Sequence, residues 1–145
     1  MEYRIARKDD LQGLLALYKQ LNPEEELIDL EKAYSIWDAT EKNNTTRYFI
    51  AVDDKKVVST CNITLVPNLT RNGKPFAIIE NVITDNDYRR QGIGKKVIEN
   101  AVQYARENNC YKVVLLSSAK RTDSHKFYES IGFNGSSKKG FEIRF

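Results

Sequence analysis

The chain of 145 residues is poor in the side chains that staple a fold or bind metals: it has two cysteines and one histidine. Cys61 and Cys110 are too few and too far apart for a disulfide scaffold and read as reduced thiols of a cytosolic protein. With His125 the sole histidine, no cysteine–histidine or serine–histidine pairing stands out as a covalent nucleophile system. No apolar run approaches the ~20 residues of a membrane span. Met1-Glu2-Tyr3-Arg4 has no apolar stretch behind its first charges, which argues against a secretory signal. Repeats, low-complexity tracts and Pro/Gly/Ser linkers are missing too, so the expectation is one domain over residues 1–145. Excess charge is small: 23 basic against 20 acidic residues leave a formal net charge of +3. Neither that balance nor any basic stripe interleaved with aromatics suits a nucleic-acid binder. A cytoplasmic domain without nucleic acid or membrane among its partners is the expectation these absences leave.

What is present is the composition of a globular domain, 41% hydrophobic and 30% charged, long enough to cover a sheet with helices. Residues 3–6 read as a short strand. Asp9 and Asp10 then offer N-cap oxygens to a helix whose Leu11, Leu14, Leu15, Tyr18 and Leu21 recur at helical spacing. Pro23 and Glu24-Glu25-Glu26 break that pattern, and a second helix is expected over 30–39, presenting Ala33, Tyr34 and Trp37. Residues 46–52 and 57–65 read as strands of a hairpin turning at 53–56, and 76–84 as a third strand after the polar loop 67–75. Val97, Ile98, Ala101, Val102 and Ala105 share one face of a helix expected over 94–108. The apolar run 112–116 suits a strand buried on both faces. Residues 123–131 form a short helix ending at Gly132, and 141–145 a final strand. The expected class is mixed α/β, or α+β, on a largely antiparallel sheet flanked by about four helices.

The chemistry is concentrated in Val82-Ile83-Thr84-Asp85-Asn86-Asp87-Tyr88-Arg89-Arg90-Gln91-Gly92-Ile93-Gly94-Lys95-Lys96. A strand ends, a polar turn follows, and two glycines open a helix whose free N–H groups and partial positive charge favour phosphate oxygens. Gly92 and Gly94 let an anion approach the backbone, and Arg89, Arg90, Lys95 and Lys96 surround the same turn with cations. A P-loop would need a wider glycine spacing and Ser or Thr after its lysine, where Lys96 stands. A dinucleotide fingerprint would need a third small residue where Val97 stands, and a place after the first strand.

The pattern that fits is Arg/Gln-x-x-Gly-x-Gly/Ala, met by Arg89, Gly92 and Gly94. With it comes a later stretch, Ser124-His125-Lys126-Phe127-Tyr128-Glu129-Ser130-Ile131-Gly132-Phe133, matching Ala-x-x-Phe-Tyr-x-x-x-Gly-Phe with Ser124 for the usual Ala. On these two motifs the chain resembles the GNAT superfamily of N-acetyltransferases over nearly its whole length. The resemblance implies a V-shaped splay in the sheet that takes acetyl-CoA as co-substrate. Its pantetheine would lie along Val82, Ile83 and Thr84, and its pyrophosphate on backbone amides of Arg89, Arg90, Gln91, Gly92, Ile93, Gly94 and Lys95. Direct attack of an amine on the thioester would need a base, an oxyanion donor and an acid. By its place in the motif Tyr128 is the implied acid, the alternative being a packed aromatic beside Phe127. Glu80 is the candidate base: a carboxylate between Ile79 and Val82 is costly unless it faces a polar cleft or a cation, and burial would raise its pKa. Its alternatives are a structural ion pair and the ordering of a water. The amide near Ile83 is the implied oxyanion donor. Arg121 is an auxiliary phosphate candidate, and His125 is expected to face solvent. The implied acceptor is a small-molecule amine, walled by Tyr18, Glu24, Glu25, Glu26, Tyr34, Trp37 and the 68–74 loop. Alternatives are a protein N-terminus or lysine, and a CoA-binding sensor without turnover. Family members often pair as homodimers, sometimes through C-terminal strands, which makes residues 141–145 a candidate interface.

Overall fold

The computed structural model describes residues 1–145. Its contacts divide into two compact units, Met1–Val114 and Leu115–Phe145.

In the first unit, strands β1 (Glu2–Ile5), β2 (Thr46–Asp53), β3 (Lys56–Val66), β4 (Phe76–Thr84) and β5 (Val113–Val114) form one sheet in the order β1-β2-β3-β4-β5. The first three junctions are antiparallel and the last is parallel, crossing over through α3 (Ile93–Glu107), so the mixed α/β class holds. Helices α1 (Leu11–Leu21) and α2 (Leu30–Asn43) cover one face: Leu14, Leu17, Ala33 and Trp37 pack with Ile50, Val52, Val57 and Ile83. The other face receives α3, whose Val97, Ile98, Ala101 and Ala105 are buried and whose Tyr104 ring lies 5.6 Å from that of Phe49. Successive strand side chains point to opposite faces, so coverage on both sides explains why Phe49, Ile50, Ala51 and Val52 are all buried without alternation. The β2–β3 turn consists of Asp54 and Lys55, both at positive φ (42° and 67°), the twist a two-residue hairpin requires.

Three readings are corrected here. Asp9 and Asp10 do not cap α1: a 3₁₀ turn over Lys8–Asp10 precedes it, and the Asp10 carboxylate instead accepts from the Arg7 amide (2.7 Å) and from both Arg4 terminal nitrogens (2.6 and 2.9 Å). A guanidinium fork competes better for that carboxylate than a helix amide does. The helix expected over 30–39 continues to Asn43 before Asn44 enters the left-handed region (φ 57°). Of the strand expected over 112–116 only Val113–Val114 pairs, and both residues are half-buried rather than enclosed.

The second unit contains α4 (Thr122–Ile131), closed by Gly132 at φ 108°. Phe133 N donates to Tyr128 O and Gly132 N to Glu129 O, while the Phe133 ring sits 6.1 Å from that of Tyr128. These bonds and the apolar contact make a Schellman ending, which accounts physically for the Gly132-Phe133 pair. The final strand expected over 141–145 is not formed: Phe141 and Ile143 are 86% and 83% exposed. Phe-Glu-Ile-Arg-Phe alternates as a strand should, but a strand without a neighbour leaves its backbone groups unpaired.

Candidate active site

The distinctive element of the first unit is β4. It pairs with β5 only at Ala77 and Ile78, so its outer edge carries no ladder from Ile79 to Thr84. Midway, Asn81 adopts φ 53°, and the register with β3 shifts between Thr60 and Asn62. Asn81 and Val82 together oppose Cys61, a bulge that twists the strand locally and re-aims its side chains. Glu80, opposite Asn62, sits just before the bulge and is exposed rather than enclosed. Val82 and Thr84 are half-buried, Ile83 is buried, and Ser59 Oγ lies 2.8 Å from Thr84 Oγ1 and donates to Ile83 O (3.2 Å).

From Thr84 the chain passes through a 3₁₀ turn, Asn86–Tyr88, to α3. Arg89 donates from Nε to Thr84 O (3.1 Å), and Gln91 Nε2 donates to Asp87 O (3.2 Å), which folds the segment back on itself. Arg90 lies at φ 58° and Gly92 at φ 77°, so the backbone winds into the left-handed region twice within three residues. Gly92 is the N-cap of α3, no side chain caps that helix, and its first bond runs from Lys96 N to Gly92 O. The amides of Ile93, Gly94 and Lys95 therefore precede any intrahelical acceptor. No heavy atom stands within 4 Å of where a Gly92 Cβ would lie, so the approach to these amides is open. Arg89, Arg90, Gln91, Lys95 and Lys96 are exposed around it. Free amides, a helix N-terminus, an open glycine and four cations suit a phosphate diester or pyrophosphate.

Two cavities open in the first unit. One of about 190 Å³ is lined by Tyr18, Lys19, Glu25, Glu26 and Ile28 together with Asn81 of the β4 bulge. The other, about 300 Å³, is lined by Trp37, Thr40, Glu41, Arg47 and Tyr48. That larger cavity borders β2, two strands away from β4, so adjacency to the bulge singles out the smaller one as the acceptor candidate. Of the residues expected to wall an acceptor, Tyr18, Glu25 and Glu26 line the smaller cavity, Trp37 borders the other with its ring stacked 5.3 Å from that of Tyr48, and Glu24, Tyr34 and residues 68–74 line neither. Burial pushes the Tyr18 hydroxyl well above its ordinary pKa, so it stays protonated. The Lys19 ammonium is occupied, donating to Pro23 O and Glu25 O (both 2.7 Å).

Glu80, Val82, Ile83, Thr84 and the 89–95 segment share the first unit, and Tyr128 belongs to the second. There its ring lies 5.3 Å from that of Phe127. His125 is half-buried rather than solvent-facing, its Nε2 2.8 Å from Ser118 O, where the nitrogen must carry the proton. Arg121 is exposed immediately before α4. Cys61 is fully buried, and desolvation pushes its thiol up to about 12, so it is no nucleophile. Sequence reasoning missed the Asn81 bulge and the buried Asp85. Asp85-Asn86-Asp87 carried a signal for the latter, since an Asp two residues before an amide can close an Asx turn.

Against known proteins, the model of the acetyltransferase (GNAT) family matches residues 11–133. A glucosamine 6-phosphate N-acetyltransferase of Trypanosoma brucei brucei is 33% identical over 134 residues, spanning 92% of this chain and 88% of that protein. Among solved structures, an acetyltransferase-like protein of Agrobacterium tumefaciens superposes with a TM-score of 0.95 at 39% identity, covering 100% of both chains. A Trypanosoma brucei acetyltransferase does so with a TM-score of 0.84 at 28% identity over 99% of each.

Proposed function

The chain belongs to the acetyltransferase (GNAT) family, and from that premise we propose that it moves an acetyl group from acetyl-CoA to the primary amine of a small molecule, within a ternary complex. The observation that carries this reading is the α3 N-terminus at Gly92, without a side-chain cap, downstream of a strand whose outer edge is unpaired from Ile79 to Thr84. Acetyl-CoA supplies an activated thioester. In this reading the amides of Gly92, Ile93, Gly94 and Lys95 hold its pyrophosphate, with Arg89, Arg90, Gln91 and Lys95 lining the approach. The open edge at Val82, Ile83 and Thr84 offers backbone groups to the pantetheine amides, as an added strand would.

The amine occupies the cavity beside Asn81, where Glu25 and Glu26 favour a cation. Glu80 takes the proton the amine must lose, the new C–N bond forms as the C–S bond breaks, and a proton returns to the departing thiolate. Tyr128 gives that proton, a role that rests on its place in the Phe127-Tyr128-x-x-x-Gly132-Phe133 motif. Residues 1–145 act as a single catalytic domain in the cytoplasm, and two copies pair as a homodimer.

Calorimetric titration with acetyl-CoA, with NAD and ATP as controls, tests the cradle, and thiol release in the presence of an amine panel tests the transfer. Binding of acetyl-CoA alone, followed by thiol release with a small amine, is the expected result. Release only with peptide amines would move the acceptor to a protein N-terminus or lysine, binding without release would leave a CoA sensor, and no binding would overturn the reading.

A further inference from the structure

The Asn86–Tyr88 turn is secured by groups drawn from distant parts of the first unit. Asp85, at its head, is 3% exposed, an uncommon burial for a carboxylate. Its Oδ1 accepts from the Asp87 amide (3.0 Å), and its Oδ2 accepts from Lys56 Nζ (2.9 Å) and from Gln20 Nε2 (3.2 Å). Gln20 returns the contact, its Oε1 accepting from the Asn86 amide (3.3 Å). The Asp85 amide donates to Val58 O (2.8 Å), and the Tyr88 hydroxyl donates to Asp53 Oδ2 (3.0 Å). Lys56 Nζ stands 5.4 Å from the centre of the Tyr88 ring. One turn is therefore gripped by α1 through Gln20, by β2 through Asp53 and by β3 through Lys56 and Val58.

None of these groups takes part in the acyl transfer proposed above. Asp85 sits seven residues before Gly92, on the path that delivers the chain to the helix start. A buried negative charge ahead of an anion site works against that site unless it is neutralised. Lys56 neutralises it: the ammonium is the leading reason why the Asp85 carboxyl lies below the usual carboxylate range. Without such bracing, the ligand would have to order the loop as it bound, at a cost in affinity. We propose that Asp85 is a positioning residue for acetyl-CoA: clamped by Lys56 and Gln20, it sets the turn so that the amides at the start of α3 are in place before the pyrophosphate arrives. The inference rests on the acetyl-CoA reading.

The test compares the full chain with Asp85→Asn, Gln20→Leu and the double variant Asp85→Asn/Lys56→Met. Dissociation constants are measured for acetyl-CoA by calorimetry, and for S-acetylpantetheine, the same thioester arm without a pyrophosphate, by ligand-observed NMR. Loss of one charge-assisted contact predicts an acetyl-CoA constant about tenfold higher for Asp85→Asn. Gln20→Leu, which breaks one bond to the Asp85 carboxylate and one neutral bond to the Asn86 amide, raises it about three- to tenfold. The double variant recovers part of the loss, because neither charge is left without its partner. S-acetylpantetheine binds every variant as it binds the unaltered chain. An unchanged acetyl-CoA constant in Asp85→Asn, or equal losses for both ligands, would overturn the positioning role. Should Asp85→Asn fail to fold, Gln20→Leu decides by the same criteria, since it removes no charge. Failure of the unaltered chain to bind acetyl-CoA would refute the cofactor reading itself, whereas binding that is indifferent to these substitutions refutes only the role of Asp85.

Discussion

Gly92→Val separates the cost of a backbone conformation from the loss of a ligand site. Gly92 lies at φ 77°, and a Cβ there would meet no heavy atom within 4 Å, so the substitution introduces torsional strain without a clash at Cβ. Holding a non-glycine residue in the left-handed region costs about 1–3 kcal/mol. That is a fraction of the roughly 5–15 kcal/mol that stabilises a domain, so the variant stays folded. For a chain of this size the melting temperature should fall by roughly 3–12 °C. The same side chain would stand in the open approach to the Ile93, Gly94 and Lys95 amides. Disrupting charge-assisted bonds worth about 1.5–3 kcal/mol each should weaken acetyl-CoA by roughly 10- to 100-fold or more. A matched control exists in Gly73, at φ 75° in the Arg71–Gly73 turn and likewise with nothing within 4 Å of its absent Cβ. Gly73→Val should lose comparable stability and no acetyl-CoA affinity. Calorimetry and thermal melting on both variants read the two effects independently. An unchanged dissociation constant in Gly92→Val, with the expected melting shift, would refute the placing of phosphate at this helix start.

Tyr128→Phe should lower kcat more than it changes the KM for acetyl-CoA, and an unaltered rate would remove Tyr128 from the mechanism. Glu80→Gln should reduce kcat by about 10²–10⁴-fold, measured by thiol release at saturating amine; a normal rate would reassign proton removal to water. Asp10→Asn breaks the bidentate pair with Arg4, whose side chains are 13% and 21% exposed, and should cost about 1 kcal/mol at neutral pH. Because folding lowers the Asp10 pKa, that difference is complete above the unfolded value of about 3.9 and disappears as the pH falls through the lower folded value. Melting curves of both proteins from pH 7 to pH 2 check this, and a gap that persists at the acid end would contradict it. Ellman's reagent at pH 8 should modify Cys61 only in denaturant, given complete burial and a thiol pushed up to about 12.

What the sequence determined by itself was whatever depends on local periodicity and turn chemistry. The 3.6-residue recurrence of Val97, Ile98, Ala101 and Ala105 defines α3 because only one stripe of that helix meets the sheet. The two glycines at its start leave the first amides of α3 open, as few other residues would. The hairpin turn and the Gly132 helix ending were legible for the same reason: each is a conformation that one or two neighbouring residues impose. Tertiary structure alone decided the rest. Whether Asp10 caps a helix or pairs with Arg4 is a competition between two partners, and the guanidinium wins on geometry and charge. Residues 141–145 alternate as a strand does, but pairing is a property of two segments, and no second one is supplied. The Asn81 bulge, just after Glu80 on β4, follows from the register between β3 and β4, and register is fixed by long-range packing. The burial of Asp85 needed Gln20 from α1 and Lys56 from the hairpin, residues 65 and 29 positions away in the chain (85 − 20 and 85 − 56). No local pattern encodes such a meeting, because it comes about only when the helix and the hairpin close over the same turn.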